Sequence, residues 1–175
     1  MCPLEQGRGS GVGAAASPDR SEQLGTMAVR ASREIEIEAP LDAVIDALAD
    51  VDAMPSWSSM YKHVDVVDRY SDGRPHHVRA AIKLLGFADE EILEFRWGPD
   101  WVVWDADRTT HQHGLHVEFT LRQDVRETTT WVRIDITAEP EALIPNFLIK
   151  KAATTVLDDA AVGLRNNVLG GKPPN

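Results

Sequence analysis

Residues 145–168 read PNFLIKKAATTVLDDAAVGLRNNV, and the fold turns on how that stretch is read. Ile149, Ala152, Ala153, Val156, Leu157, Ala160, Leu164 and Val168 recur at mostly three- and four-residue intervals, which predicts one long helix with a single apolar stripe. Pro145 opens it and Gly170-Gly171 stops it. At its ordinary rise such a helix runs about 35 Å. The stripe is slender, with alanines at 152, 153 and 160 and with Ala161 and Gly163 close by.

Upstream of this helix the period changes from helical to two. Arg33-Glu34-Ile35-Glu36-Ile37-Glu38 alternates acidic and apolar residues, a strand with one wet face. Pro40 then begins a short helix carrying Leu41, Val44, Ile45 and Leu48, and residues 52–57 form a second short helix or turn. Six further alternating runs follow at 61–70, 77–84, 88–97, 101–107, 114–123 and 129–138. Turn signals such as Ser71-Asp72-Gly73-Arg74-Pro75 and Gly98-Pro99-Asp100 separate them. Gaps this short permit hairpins and exclude parallel crossovers. The predicted class is α+β: a curved seven-stranded antiparallel sheet around a long C-terminal helix, with two short helices after the first strand. One helix is narrower than seven strands, so the sheet must curl over it. Small residues on the helix then leave space, filled by a ligand or by large residues of the sheet.

The formal charge of -10 repels phosphate backbones, so nucleic acid is not an expected partner. No run approaches the length of a membrane-spanning helix, and stable insertion is not expected. The single cysteine, Cys2, can form neither an internal disulfide nor a cysteine metal site. Residues 1–26, rich in Gly, Ala, Ser and Pro, read as a disordered leader, with Met27 as an alternative start. Residues 27–170 form the expected domain and 171–175 a tail. A cytoplasmic location is expected, since the N-terminus has no apolar signal core.

The segment Ile35-Glu36-Ile37-Glu38-Ala39-Pro40-Leu41-Asp42-Ala43-Val44, followed by Leu48-Ala49-Asp50-Val51 and Pro55-Ser56-Trp57, resembles the opening of the polyketide cyclase/dehydrase and lipid transport family of the START/Bet v 1-like (SRPBCC) superfamily. Asp72-Gly73-Arg74, Trp104, the stretch Leu143 to Leu148, and Ala160 to Leu164 with Asn167 extend the likeness across about residues 29–169. The resemblance implies a helix-grip fold and an internal apolar pocket. It covers both carriers and aromatase/cyclases, so it implies no single chemistry.

The expected pocket walls are Ile82, Leu93, Phe95, Trp104, Val117 and Phe119 from the sheet, with Phe147, Ala152 and Val156 from the long helix. Trp57 is either a gate at the pocket mouth or a core anchor for the short helices. Glu91 shares a face with Leu93, Phe95 and Trp97; it either points inward as a general acid or base, or sits in water at the rim. His113 is the second candidate acid–base group. His111, His113 and His116 lack a convergent third ligand, so no metal and no cofactor are expected, and His76-His77 read as solvated. Trp101 and Trp131 face outward, where an exposed aromatic pair could mark a homodimer or partner face. Three functions therefore compete: a carrier of a lipid, isoprenoid or polyketide-like molecule; a polyketide cyclase or aromatase; and an accessory factor that docks through the sheet.

Overall fold

The structure, a computed structural model, describes residues 28–84, 86–106, 112–140 and 144–170. The predicted leader and tail lie outside the described residues. In chain order the elements are β1 (Val29–Ile37), α1 (Leu41–Ala49), a 3-10 turn (Val51–Ala53), α2 (Met54–Trp57), β2 (Tyr61–Arg69), β3 (Pro75–Leu84), β4 (Phe87–Trp97), β5 (Trp101–Ala106), β6 (Gln112–Gln123), β7 (Thr130–Pro140) and α3 (Asn146–Val168). All strand pairs are antiparallel and form one sheet in the order β1-β7-β6-β5-β4-β3-β2. The expected architecture is present, and α3 has the span that its periodicity predicts.

Local chemistry sets the boundaries. Pro40 caps α1 in an extended conformation, with φ -66. Gly73 turns β2 into β3 at φ 87, a left-handed geometry that glycine adopts without steric cost. Buried Thr130 donates from Oγ1 to the Ala39 carbonyl at 2.8 Å, fixing the turn after β1 against the first residue of β7.

Alternation then sorts the sheet into two faces. Val78, Ala80 and Ile82 of β3, Leu93 and Phe95 of β4, Val102 and Trp104 of β5, and Val117, Phe119 and Leu121 of β6 are buried on the concave side. The helix α3 turns Ile149, Ala153, Leu157, Ala160, Ala161 and Leu164 inward. It lies closest to β1 and to α2. Arg165 Nη2 reaches Glu38 Oε2 at 2.7 Å, Arg33 Nε reaches Asp158 Oδ1 at 3.1 Å, and the Ser59 amide donates to Asp159 Oδ2 at 2.7 Å.

Of the two fillings left open for the space beneath the slender helix, large residues of the sheet account for its aromatic part. Trp104 stacks on Phe95 and Phe119 with ring centroids 4.9 and 5.2 Å apart, and Trp57 meets Phe119 edge-on at 6.4 Å. Phe95 and Phe119 are almost wholly removed from solvent. Large rings from the sheet make up for the small residues of the helix, as dense interiors require.

The closest approach in this packing is at Gly163. A Cβ there would sit 2.1 Å from the Trp57 carbonyl oxygen, inside any permitted contact. Gly163→Ala should therefore push α3 off α2 and cost about 1–3 kcal/mol, although alanine is the better helix former. Urea unfolding checks this; an unchanged or raised midpoint contradicts the contact.

Candidate functional site

Three ionisable side chains lie close together on the β2–β3–β4 side of the sheet: Tyr61, Asp89 and Glu91. Glu91 of β4 is 4% exposed, paired in register with Ala80 and two residues from Leu93, so its side chain joins the apolar face rather than the wet rim. Tyr61, the first residue of β2, is also buried, and its hydroxyl accepts a hydrogen bond from Trp104 Nε1 at 3.0 Å. Burial raises the Tyr61 phenol far above its ordinary value; the Trp104 hydrogen bond opposes this and the Glu91 charge adds to it. Asp89, half-buried, lies two residues before Glu91 and pairs in register with Ile82. A carboxylate, a phenol and an indole N–H thus meet inside a hydrocarbon core.

Two alanines stand beside this group: Ala80 of β3 pairs in register with Glu91, and Ala106 of β5 pairs with Leu93, both buried. At the opposite side of the aromatic layer lies Trp57, whose buried Nε1 has no hydrogen-bond partner among the described residues.

Of the expected wall residues, Ile82, Leu93, Phe95, Trp104, Val117 and Phe119 are all buried on the concave face. Trp57 is buried and wedged between Phe119 and α3, the position of an anchor. Phe147 is a correction: it is 71% exposed. It precedes Ile149 by two positions, about 200° around a helix, so it points away from the stripe. Ala152 and Val156 flank the stripe and are half-buried, while Ala153 and Leu157 occupy its centre. His111 and the side chain of His113 lie outside the described residues. His116 faces outward and pairs with Asp105, which also holds Arg96. Trp131 is exposed as expected, but Glu34, Thr120, Arg122 and Arg133 surround it, so the patch is polar rather than apolar.

Sequence reasoning missed Tyr61 because a register shift between Tyr61 and His63 breaks the alternation of β2, letting Tyr61 and Val64 share the inner face. Asp89 was legible, since it shares the parity of Glu91 and Leu93.

The model of the family described as polyketide cyclase / dehydrase and lipid transport matches residues 28–168. The chain belongs to that family. Its fold is the START/Bet v 1-like helix grip. A START superfamily protein from Mycobacterium smegmatis superposes with a TM-score of 0.72 at 21% identity, over 81% of this chain and 97% of its own. The ZhuI aromatase/cyclase from Streptomyces sp. R1128 gives 0.65 at 15% identity, over 82% and 93%. The di-domain ARO/CYC BexL from the BE-7585A biosynthetic pathway gives 0.62 at 20%, over 81% of this chain and 46% of its own. Among curated proteins no sequence matches the chain. No helix among the described residues is long and apolar enough to cross a membrane.

The Tyr61 shift has a measurable consequence. Because the folded-state value lies above the unfolded one, its contribution to stability is complete below about pH 10 and falls as the pH rises beyond that. The chain has two tyrosines, Tyr61 and Tyr70. In Tyr70→Phe, phenolate absorbance at 295 nm should appear together with loss of near-ultraviolet circular dichroism. Ionisation at an ordinary value in the folded protein would contradict the buried placement.

Proposed function

We propose that the protein binds or carries a hydrophobic small molecule, such as a lipid, isoprenoid or polyketide-like chain, between the sheet and α3 beside Glu91. One observation carries this reading: a carboxylate, Glu91, is buried at 4% exposure next to Tyr61 and Trp104 in an otherwise apolar interior. Burying such groups costs free energy that hydrogen bonding or pairing must offset, so ionisable groups held inside an apolar interior mark candidate binding sites. Apolar walls supply affinity, and a few convergent polar groups orient the ligand. The ligand's apolar body lies against Ile82, Leu93 and Ala153, with its polar end toward Glu91 and Tyr61.

Native mass spectrometry of the protein purified from its own host tests the reading. A co-purifying apolar ligand is expected, and it should be lost in Ala153→Phe, which fills the space from the helix side. If the protein emerges ligand-free and neither fatty acids, isoprenoids nor aromatic polyketides bind on addition, the reading fails.

Glu91 supports a second reading, in which the same site is a cyclase or aromatase and the carboxylate takes a proton from a ketone's α-carbon during ring closure. A general acid–base group contributes about 10²–10⁴-fold. Glu91→Gln should then reduce turnover of a poly-β-ketone by that factor while ligand binding persists. A carrier shows no turnover in either protein.

A further inference from the structure

Asp68, His76 and His77 converge on the convex face, remote from the concave site. His77 Nδ1 lies 2.9 Å from Asp68 Oδ2, and His76 Nδ1 lies 3.2 Å from Asp68 Oδ1. Each of the three residues offers a ligand atom, and these atoms fall within 4.8 Å of one another. Consecutive residues of a regular strand point to opposite faces. Here they do not: the β2–β3 register steps from Asp68↔His77 to Arg69↔Pro75, so His76 is the extra residue of a bulge and two histidines oppose one aspartate. Their rings are 3.8 Å apart.

We propose that this bulge is a divalent-cation site of the zinc type, with Asp68, His76 and His77 as ligands. Two imidazoles and a carboxylate suit zinc, cobalt or nickel better than the hard cations, which take oxygen ligands alone. Neighbouring ligand atoms on a tetrahedral zinc ion are about 3.3 Å apart, close to the separations already present. The surroundings support the ligands as well. Tyr70 lies against His76 with centroids 4.3 Å apart, and its hydroxyl donates to the Phe95 carbonyl at 2.8 Å, which holds the ring. Glu94, opposite His77 in the β3–β4 register, places Oε1 3.9 Å from His76 Nε2, the ring nitrogen turned away from Asp68, where a carboxylate orients a metal-bound imidazole. The ion would clip the outermost strand, β2, to β3.

The full chain, free of any polyhistidine tag, is titrated with zinc by calorimetry at about pH 7.5 and with cobalt by visible absorption. One saturable site per chain is expected, with cobalt absorption typical of tetrahedral nitrogen and oxygen ligation. His76→Ala and His77→Ala should each weaken binding at least about tenfold. His63→Ala, which removes the histidine of a separate His63–Asp65 pair, should leave it unchanged. Circular dichroism verifies folding; if His77→Ala is unfolded, the bulge residue His76 decides alone. Absence of saturable binding, or binding that survives His76→Ala, overturns the proposal.

Discussion

The whole arrangement depends on how closely α3 can approach α2. Gly163 has no side chain where the Trp57 backbone stands, and that gap of one methyl group lets the helix descend onto the concave face. Once it is down, Leu157 and Leu164 reach the core, Arg165 meets Glu38 and Asp159 meets the Ser59 amide. The apolar term does most of the work. The exposed ion pairs along β1 contribute little by comparison and serve mainly to set the helix's position. Glu38 is held below the usual carboxylate range, mainly by its hydrogen bond from Arg165, so what little this pair contributes is complete above about pH 4.5 and fades as the pH falls.

Against that apolar packing, the buried polar groups stand out. The Tyr61–Trp104 hydrogen bond crosses from an outer strand to the middle of the sheet, joining residues 43 apart in sequence. It binds the aromatic stack to β2 and leaves Glu91 beside it. The stacked rings of Phe95, Trp104 and Phe119 thus form one continuous aromatic layer on the concave face, with the hydrogen bond to Tyr61 fixing its orientation.

Much of this was legible before any coordinates. Period two in the strands, period 3.6 in the last helix and the short turns between them dictate a curved antiparallel sheet gripping a helix. Parity put Leu93, Phe95 and Trp104 inside, and left Glu91 with a definite pair of alternatives that burial resolves in favour of the interior. What escaped were features created where the period breaks. The register shift after Tyr61 turns its ring inward, and the bulge at His76 brings its ring beside its neighbour's. Phe147 failed for a related reason: hydrophobicity alone suggested the interior, but its angle around the helix does not match the stripe. Whether sheet aromatics or a ligand take the space beneath the helix stayed open in the sequence, since a sequence states side-chain volume but not the distance between layers.

The irregular register of β2 bears on how two copies of this chain could meet. The strand forms one margin of the sheet, and its pairing with β3 slips at three places. A second molecule seeking to extend the sheet needs a straight run of free amides and carbonyls at a steady spacing. Here that ledge is crooked and flanked by Lys62, His63, Asp65 and Asp68. At the other margin, β1 lies under α3. Edge-to-edge growth of the sheet is thereby discouraged at both borders, by an irregular charged strand at one and a packed helix at the other.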